Sequence, residues 1–194
     1  VEGMNVSLAQ NMASGTAAGT DGASTVTVTG VTGTIVAGMQ AQASQLLTAS
    51  AVGLSGGSTI TVSGASGTIL AGMYVIGDGI GTNAKVISVV GSTVTLDVVN
   101  ATAVNNSVSF TGQVGTGALV VSVVGTTVTL DTTNIGSFSN TPILFVAGGV
   151  APGVSVVSVV GSTVTLNTTN TGTFSGYSIT FTPVSPQQIL TLST

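Results

Sequence analysis

From Val86 to Asp97 the chain reads VISVVGSTVTLD, with apolar and polar residues alternating at period two on both sides of Gly91-Ser92. A two-residue loop with glycine first meets the backbone requirement of a type II′ turn, so the pattern predicts a β-hairpin. Pairing across that turn sets Val90 against Thr93, Val89 against Val94, Ser88 against Thr95 and Ile87 against Leu96. One face then carries Ile87, Val89, Val94 and Leu96; the other is mostly hydroxyl. The same arithmetic at Gly125-Thr126 gives Val121, Val123, Val128 and Leu130 as the apolar face. At Gly161-Ser162 it gives Val157, Val159, Val164 and Leu166. Gly91, Gly125 and Gly161 are therefore expected as structural turns. Burial of each apolar side chain contributes about 1.5–3 kcal/mol before entropy is subtracted. A lone hairpin is marginal, so neighbouring strands are needed to cover that face.

The word inside these hairpins recurs along the chain. S-T-V/I-T-V/L, or T-T-V-T-L, starts at residues 24, 58, 92, 126 and 162, giving spacings of 34, 34, 34 and 36. A constant period of this length is the mark of a repeat architecture. The copies fall into two classes. Those at 24 and 58 run on alike, as STVTVTGVTGTIVAGM and STITVSGASGTILAGM. Those at 92, 126 and 162 run on as DVVN, DTTN and NTTN from residues 97, 131 and 167, and then reach a Phe-ended strand at Phe110, Phe145 or Phe181. A coarse unit follows: a strand near Met73–Ile76, a glycine-rich connection, the hairpin, an Asx turn and the Phe-ended strand. Asp97, Asp131 and Asn167, with Asn100, Asn134 and Asn170, suit turns because their short side chains bond nearby backbone. The copy at 58 fits the hairpin rule badly, since a turn at Gly57-Ser58 would set Ser55 against Ile60 and Leu54 against Thr61. The stretch before it, Gln40–Gly56, is the one region with helical character, where a short helix or an irregular connection is expected in place of a strand.

The expected fold is all-β: about five 34-residue hairpin-containing repeats in a β-sandwich or barrel-like domain over residues 24–182, with a split into two subdomains near 57–77 as an option. Residues 1–23 and 183–194 read as arms, the latter able to add a strand to a neighbour. Val1 in place of Met marks the chain as processed or a fragment.

Composition narrows the function. The sequence has 194 residues, 43% hydrophobic and 3% charged: Lys85 is the single cationic side chain, and Glu2, Asp21, Asp78, Asp97 and Asp131 bring the net charge to −4. A typical soluble domain is about a quarter charged. Abundant Val, Ile and Leu argue against disorder. One lysine cannot supply a phosphate-binding patch, so nucleic-acid binding is not expected. Without Cys or His there is no thiol nucleophile, disulfide, cysteine zinc site or histidine base. No run of about 18 apolar residues occurs, and Tyr74, Tyr177 and five Phe are too few for the aromatic girdles of an outer-membrane barrel, so membrane insertion is not expected.

Candidate chemistry is sparse. The recurrent acid–amide pairs offer one carboxylate or none per copy, whereas calcium takes six to eight oxygens, usually with several carboxylates. Turn formation explains them better. Gly77–Asn83, GDGIGTN, lacks the Lys-Ser/Thr ending of a phosphate loop and reads as a surface turn. A Ser or Thr nucleophile has no base, and the aspartate spacing does not favour a glycosidase pair. The Thr-x-Thr strands raise ice binding, but a hairpin in every 34-residue unit is longer and less regular than a simple solenoid coil, and Thr favours strands on steric grounds. No catalytic residue, cofactor or metal is expected.

Ala71–Asp97, AGMYVIGDGIGTNAKVISVVGSTVTLD, resembles a pattern common in tailed-bacteriophage virion proteins: G-M-x-V-x-G-x-G-I followed by V-x-S-V-x-G-x-T-V-T-L. Head decoration or cement proteins, tail fibres and some large bacterial surface repeats share it. The match is good over Ala71–Leu96 and partial over Gly112–Leu130 and Gly148–Leu166. The resemblance implies a non-enzymatic structural virion protein on the capsid exterior, foremost a decoration or cement protein, with a major capsid protein and copies of itself as partners and a trimer as the preferred oligomer. A tail-fibre segment and a self-assembling extracellular filament or adhesin subunit are the alternatives. Low net charge, which promotes association, and exposed strand edges point the same way.

Overall fold

In a computed structural model, residues 2–8, 12–147, 154–169 and 179–183 are described. Among them every regular element is a strand, and no helix is long and apolar enough to cross a membrane. The strands are β1 (Asn5–Leu8), β2 (Met12–Gly19), β3 (Thr25–Thr32), β4 (Gln40–Gln42), β5 (Ser44–Gly53), β6 (Thr59–Ser63), β7 (Tyr74–Ile76) and β8 (Val86–Val90). There follow β9 (Thr93–Leu96), β10 (Val104–Gln113), β11 (Val120–Val124), β12 (Thr127–Leu130), β13 (Phe138–Val146), β14 (Val156–Val160), β15 (Thr163–Leu166) and β16 (Ile179–Thr182). The chain divides into two units, Met12–Val146 and the combination of Val1–Asn11 with Ala147–Thr194.

Met12–Val146 contains two antiparallel six-stranded sheets with one topology. Module A has the order β11-β12-β3-β2-β13-β4, and module B the order β8-β9-β6-β5-β10-β7. Module B is continuous in sequence and is inserted between β4 and β11 of module A. Each sheet curls into a half-barrel whose edge strands approach: Tyr74 bridges to Lys85 in module B, and Gln40 to Leu119 in module A. The Gly-Met pair makes this closure. Gly72 and Gly38 have φ of 87° and 85°, in the left-handed region that favours glycine. That turn aims their N–H groups at the carbonyls of Val86 and Val120, both at 2.8 Å, and leaves Met73 and Met39 fully buried.

The repeated word explains the sheet centres, because in each module it pairs with a copy of the other class. In module A, Thr127, Val128 and Thr129 oppose Thr27, Val26 and Thr25; in module B, Thr93, Val94 and Thr95 oppose Thr61, Ile60 and Thr59. Antiparallel pairing of T-V-T with itself stacks valine on valine inward and threonine beside threonine outward, pairs that each favour a sheet. Val94, Ile60, Val128 and Val26 are buried. In module B they belong to a core that includes Leu47, Met73, Leu96, Val108 and Phe110. The all-β expectation therefore holds. The folded unit is a pair of copies, one of each class, rather than a single 34-residue copy.

Each expected hairpin is present at β8–β9, β11–β12 and β14–β15. Gly91, Gly125 and Gly161 have φ of 60°, 60° and 59° and are followed by residues outside the left-handed region, as a type II′ turn requires. Val94, Leu96, Val128 and Leu130 are buried, and Val164 and Leu166 half-buried. The upstream arms need a correction. Ile87, Val89, Val121, Val123, Val157 and Val159, expected in the core, are exposed. A bulge lies between Val86 and Ser88, so Val86 rather than Ile87 opposes Leu96 and turns inward; the same shift occurs in the other two hairpins. Because β8 and β11 are edge strands, Val89 and Val123 also have a neighbour on one side only.

Three other expectations change. Gln40–Gly56 forms β4 and β5 instead of a helix; its alternating pattern buries Leu47, Ala49 and Ala51 against β10. The loop after β5 is wider than a Gly57-Ser58 turn, since Ala51 opposes Val62 and Val52 opposes Thr61. Residues 1–23, expected as an arm, contain β1 and β2, and β2 is a central strand of module A. The expected arm 183–194 lies, apart from Pro183, outside the described residues.

In the other unit, β14 pairs with β15 and β1 with β16, and Asn5 bridges to Ser155. Gly3 has φ 78° and its N–H meets the Val156 carbonyl at 2.9 Å, the same closure as Gly38 and Gly72.

Candidate functional site

The Asx residues act between strands more than within their own turns. Asp97 Oδ1 accepts from Lys85 N at 2.6 Å, Asp131 Oδ1 from Leu119 N at 2.7 Å, and Asn167 Oδ1 from Ser155 N at 3.0 Å. Each holds the start of the hairpin to its end. Asn100 and Asn134 are buried, and each amide donates to two carbonyls flanking the loop of the opposite hairpin. For Asn100 these are Leu54 and Thr59, at 3.0 and 3.2 Å; for Asn134 they are Thr20 and Thr25, at 3.2 and 3.0 Å. Asn170 lies outside the described residues. The Asn100 and Asn134 amide nitrogens are committed to the backbone while their Oδ1 atoms are buried without a hydrogen-bond partner, and among the described residues no three His, Cys, Asp or Glu side chains gather as a metal site would need. Gly77–Asn83 forms turns between β7 and β8.

An ion pair joins modules A and B. Lys85 Nζ, from module B, sits 2.7 Å from Asp21 Oδ2 of module A and 4.6 Å from the Tyr74 ring centroid. Asp21 also accepts from Gly136 N at 2.9 Å through Oδ1, while its own N–H donates to Ser137 Oγ at 3.1 Å. Partial burial pushes the Asp21 carboxyl up, but the hydrogen bonds from Lys85 and Gly136 and the lysine's charge together hold it below its ordinary value. The hydrogen bond to Asp21 raises the Lys85 ammonium above its ordinary value against the opposing pull of desolvation. A lysine held protonated in this way is a poor base or nucleophile. Two uncharged clasps finish the junction. Gln45 and Ser139 exchange side-chain and backbone bonds at 2.9 and 3.1 Å, and Gln113 and Ile135 exchange two backbone bonds at 2.9 Å.

The three hairpins share one pattern of exposure. Each presents the same three apolar residues to solvent: Ile87, Val89 and Val90; Val121, Val123 and Val124; Val157, Val159 and Val160. The residue before each turn glycine, Val90, Val124 or Val160, is 76% exposed. Five shallow depressions, one of them against Val89, Gly91 and Ser92 of the first hairpin, are lined by Ser, Thr, Asn, Gln, Gly, Pro and apolar residues, with no ionisable side chain in any of them.

No known protein family, curated protein or solved structure matches the chain.

Of the residues singled out from sequence, the turn glycines and downstream arms lie where the alternation placed them. The structure does not gather the acid–amide pairs into one site. The Asp21–Lys85 junction had no signal beyond Lys85 being the sole cation. Asn100 and Asn134 were visible as recurrent residues, but their partners lie 41–46 and 109–114 positions away.

Proposed function

We propose that this is a non-enzymatic structural protein of a virion, foremost a capsid decoration or cement protein that reinforces the shell through β contacts with copies of itself and with a major capsid protein. The observation that carries the reading is the repeated apolar ridge along the outer strand of each hairpin: the same three aliphatic side chains, drawn from both faces of that strand, are exposed on a chain that is 3% charged. Exposed apolar patches mark interaction surfaces. Contacts between such ridges are insensitive to salt, unlike surface ion pairs. The phage-like wording of Ala71–Leu96 supplies the virion setting, and the commitment of Lys85 to Asp21 supports a role without catalysis.

The test is mechanical. Icosahedral heads stripped of this protein should lose resistance to heat and shear, and adding it back should restore that resistance. Stripped heads as robust as decorated ones would refute the proposal. The triple variant Val90→Asp, Val124→Asp and Val160→Asp should fold normally, since these side chains are exposed, and fail to restore it.

A further inference from the structure

Copies of the repeated word mate in nested order. The copy at 58 pairs with the copy at 92, and around that pair the copy at 24 pairs with the copy at 126. Each mating joins an earlier copy that runs on to Gly-Met with a later copy that runs on to D-x-x-N. A third copy of the later class, at 162, forms β15, which pairs with β14 alone among the described residues. One further step outward in the same nesting puts its mate ahead of the copy at 24.

The unit formed by β1, β14, β15 and β16 has the outline of a module. β1 occupies the place of β4 and β7. Gly3 N bonds Val156 O, as Gly38 N bonds Val120 O and Gly72 N bonds Val86 O; Val6 N bonds Val154 O, as Ala41 N bonds Ala118 O and Val75 N bonds Ala84 O. β14–β15 has the register and bulge of β8–β9 and β11–β12. β16 sets Phe181 against Val6, as β10 sets Phe110 against Val75 and β13 sets Phe145 against Ala41. In modules A and B, the strand pairs β2–β3 and β5–β6 fill the space between the places held here by β15 and β16. The side chains that such a pair covers are the ones left open. Phe181 is 37% exposed where Phe110 and Phe145 are 0%, and Ile179 is 41% exposed where Val108 and Ile143 are buried. Val164, Leu166 and Met4 are half-buried where their counterparts are buried.

The residues leading into β1 identify the class of strand pair that fits. Val1–Met4 reads VEGM, against VAGM at Val36–Met39 and LAGM at Leu70–Met73. In modules A and B that word closes the segment that supplies the central pair. β3 begins at Thr25, fourteen residues ahead of Met39, and β6 begins at Thr59, fourteen residues ahead of Met73. Gly3 makes the same closure onto Val156 that Gly38 and Gly72 make onto Val120 and Val86, so Val1–Met4 has the position of such an ending as well as its wording.

We infer that the edges of β15 and β16 take a strand pair of the β5–β6 pattern from their own polypeptide, in a segment that runs directly into Val1. Its second strand is a T-V/I-T word starting fourteen residues ahead of Met4, which pairs with Thr163-Val164-Thr165. Its first strand carries alternating apolar residues in the places of Leu47, Ala49 and Ala51, and with the second covers Phe181 and Ile179. A short connection to Gly3 gives the pair a high effective concentration at the slot, and the apolar alternation sets its register. Both pairs of this kind among the described residues, β2–β3 and β5–β6, are already engaged within modules A and B. The result is a third module of the same topology, with module A inserted between its β1 and β14 as module B is inserted between β4 and β11. This inference holds whatever assembly the protein serves.

The test has two arms. In the first, the sequence Ser44–Ile69 is fused directly before Val1 of the full chain, so that Val1–Met4 takes the place of Leu70–Met73. Hydrogen exchange at Thr163–Leu166 and Ile179–Thr182 should slow about tenfold or more relative to the unextended chain, independently of protein concentration, with β9 and β10 unchanged. The same extension bearing Ile60→Ser and Val62→Ser should not slow it. In the second arm, peptide mass mapping of the polypeptide from its natural source should find a T-V/I-T strand fourteen residues ahead of Met4. No slowing in the fusion would overturn the inference, as would a natural chain that starts at Val1 or lacks that word. Concentration-dependent protection of β15 and β16 in the unextended chain would also overturn it, by making a second copy the occupant.

Discussion

β10 and β16 carry the same apolar word, Val-x-Phe at Val108–Phe110 and Ile-x-Phe at Ile179–Phe181. In β10 both large side chains are fully buried, with β5 on one edge of the strand and β7 on the other. Among the described residues β16 has β1 as its one neighbour, and both side chains stay more than a third exposed. The two strands do not differ in propensity, so the burial of a phenylalanine here is decided by how many strands flank it. A hairpin or a strand pair is marginal by itself, and the core of a module depends on the strands that flank it.

That comparison can be broken in four ways. The largest effect is expected from Phe110→Ala, which empties a fully buried site and should destabilise module B by about 3–5 kcal/mol. Phe181→Ala, at a partly exposed site, should cost about 1 kcal/mol or less. Denaturant titration followed by exchange at each strand reads both, and equal losses would remove the distinction. Asn100→Ala and Asn134→Ala should each cost about 1–3 kcal/mol, because two hydrogen bonds to inter-strand carbonyls go at once. The same titration checks this pair.

The turn glycines provide an internal control. A Cβ at Gly91 or Gly161 would meet nothing within 4 Å, so alanine is penalised there by the left-handed backbone alone. Gly91→Ala and Gly161→Ala should therefore each destabilise their hairpins by a similar ~1–3 kcal/mol, although one belongs to a complete module and the other does not. A large difference between them would mean that the hairpins differ intrinsically.

The smallest effect belongs to the ion pair. Lys85→Met should cost about 1 kcal/mol or less, as the pair is partly solvated. Asp21 is held below 3.8, so its contribution is full above that value and is lost as pH falls through the lowered folded value. Lys85 is held above 10.5, so its share is full below that value and is lost as pH rises through the raised one. The stability difference between the parent and Lys85→Met should be flat between these limits and shrink outside them in a pH series.

Much of this architecture could be read from period-two alternation and the 34-residue spacing. Gly91 followed by Ser92 fixed a turn type, and Thr93–Leu96 fixed a strand with Val94 and Leu96 inward. The bulge at Ile87 was not legible, because alternation on the upstream arm is equally satisfied by Val86 or Ile87 turning in when both are apolar. Gln40–Gly56 misled because Gln, Ala and Leu favour helices, while pairing of Leu47 with Phe110 outweighs that preference. The pairing of one copy class with the other was present in the GTIVAGM and D-x-x-N endings. Its meaning depended on contacts such as Val128 with Val26, 102 positions apart, which no local pattern encodes.

The most direct test of the account is native-state hydrogen exchange on the unmodified chain, comparing three equivalent amides. Leu96 N and Leu130 N donate to the Ser58 and Ser24 carbonyls of the mating copy, at 2.8 and 2.7 Å. Leu166 stands at the same repeat position in β15, which pairs with β14 alone among the described residues. Leu96 and Leu130 should exchange only through opening of their whole modules, and Leu166 should exchange at least about tenfold faster. Equal protection at all three would contradict the claim that pairing between copies, which β15 lacks among the described residues, sets the protection.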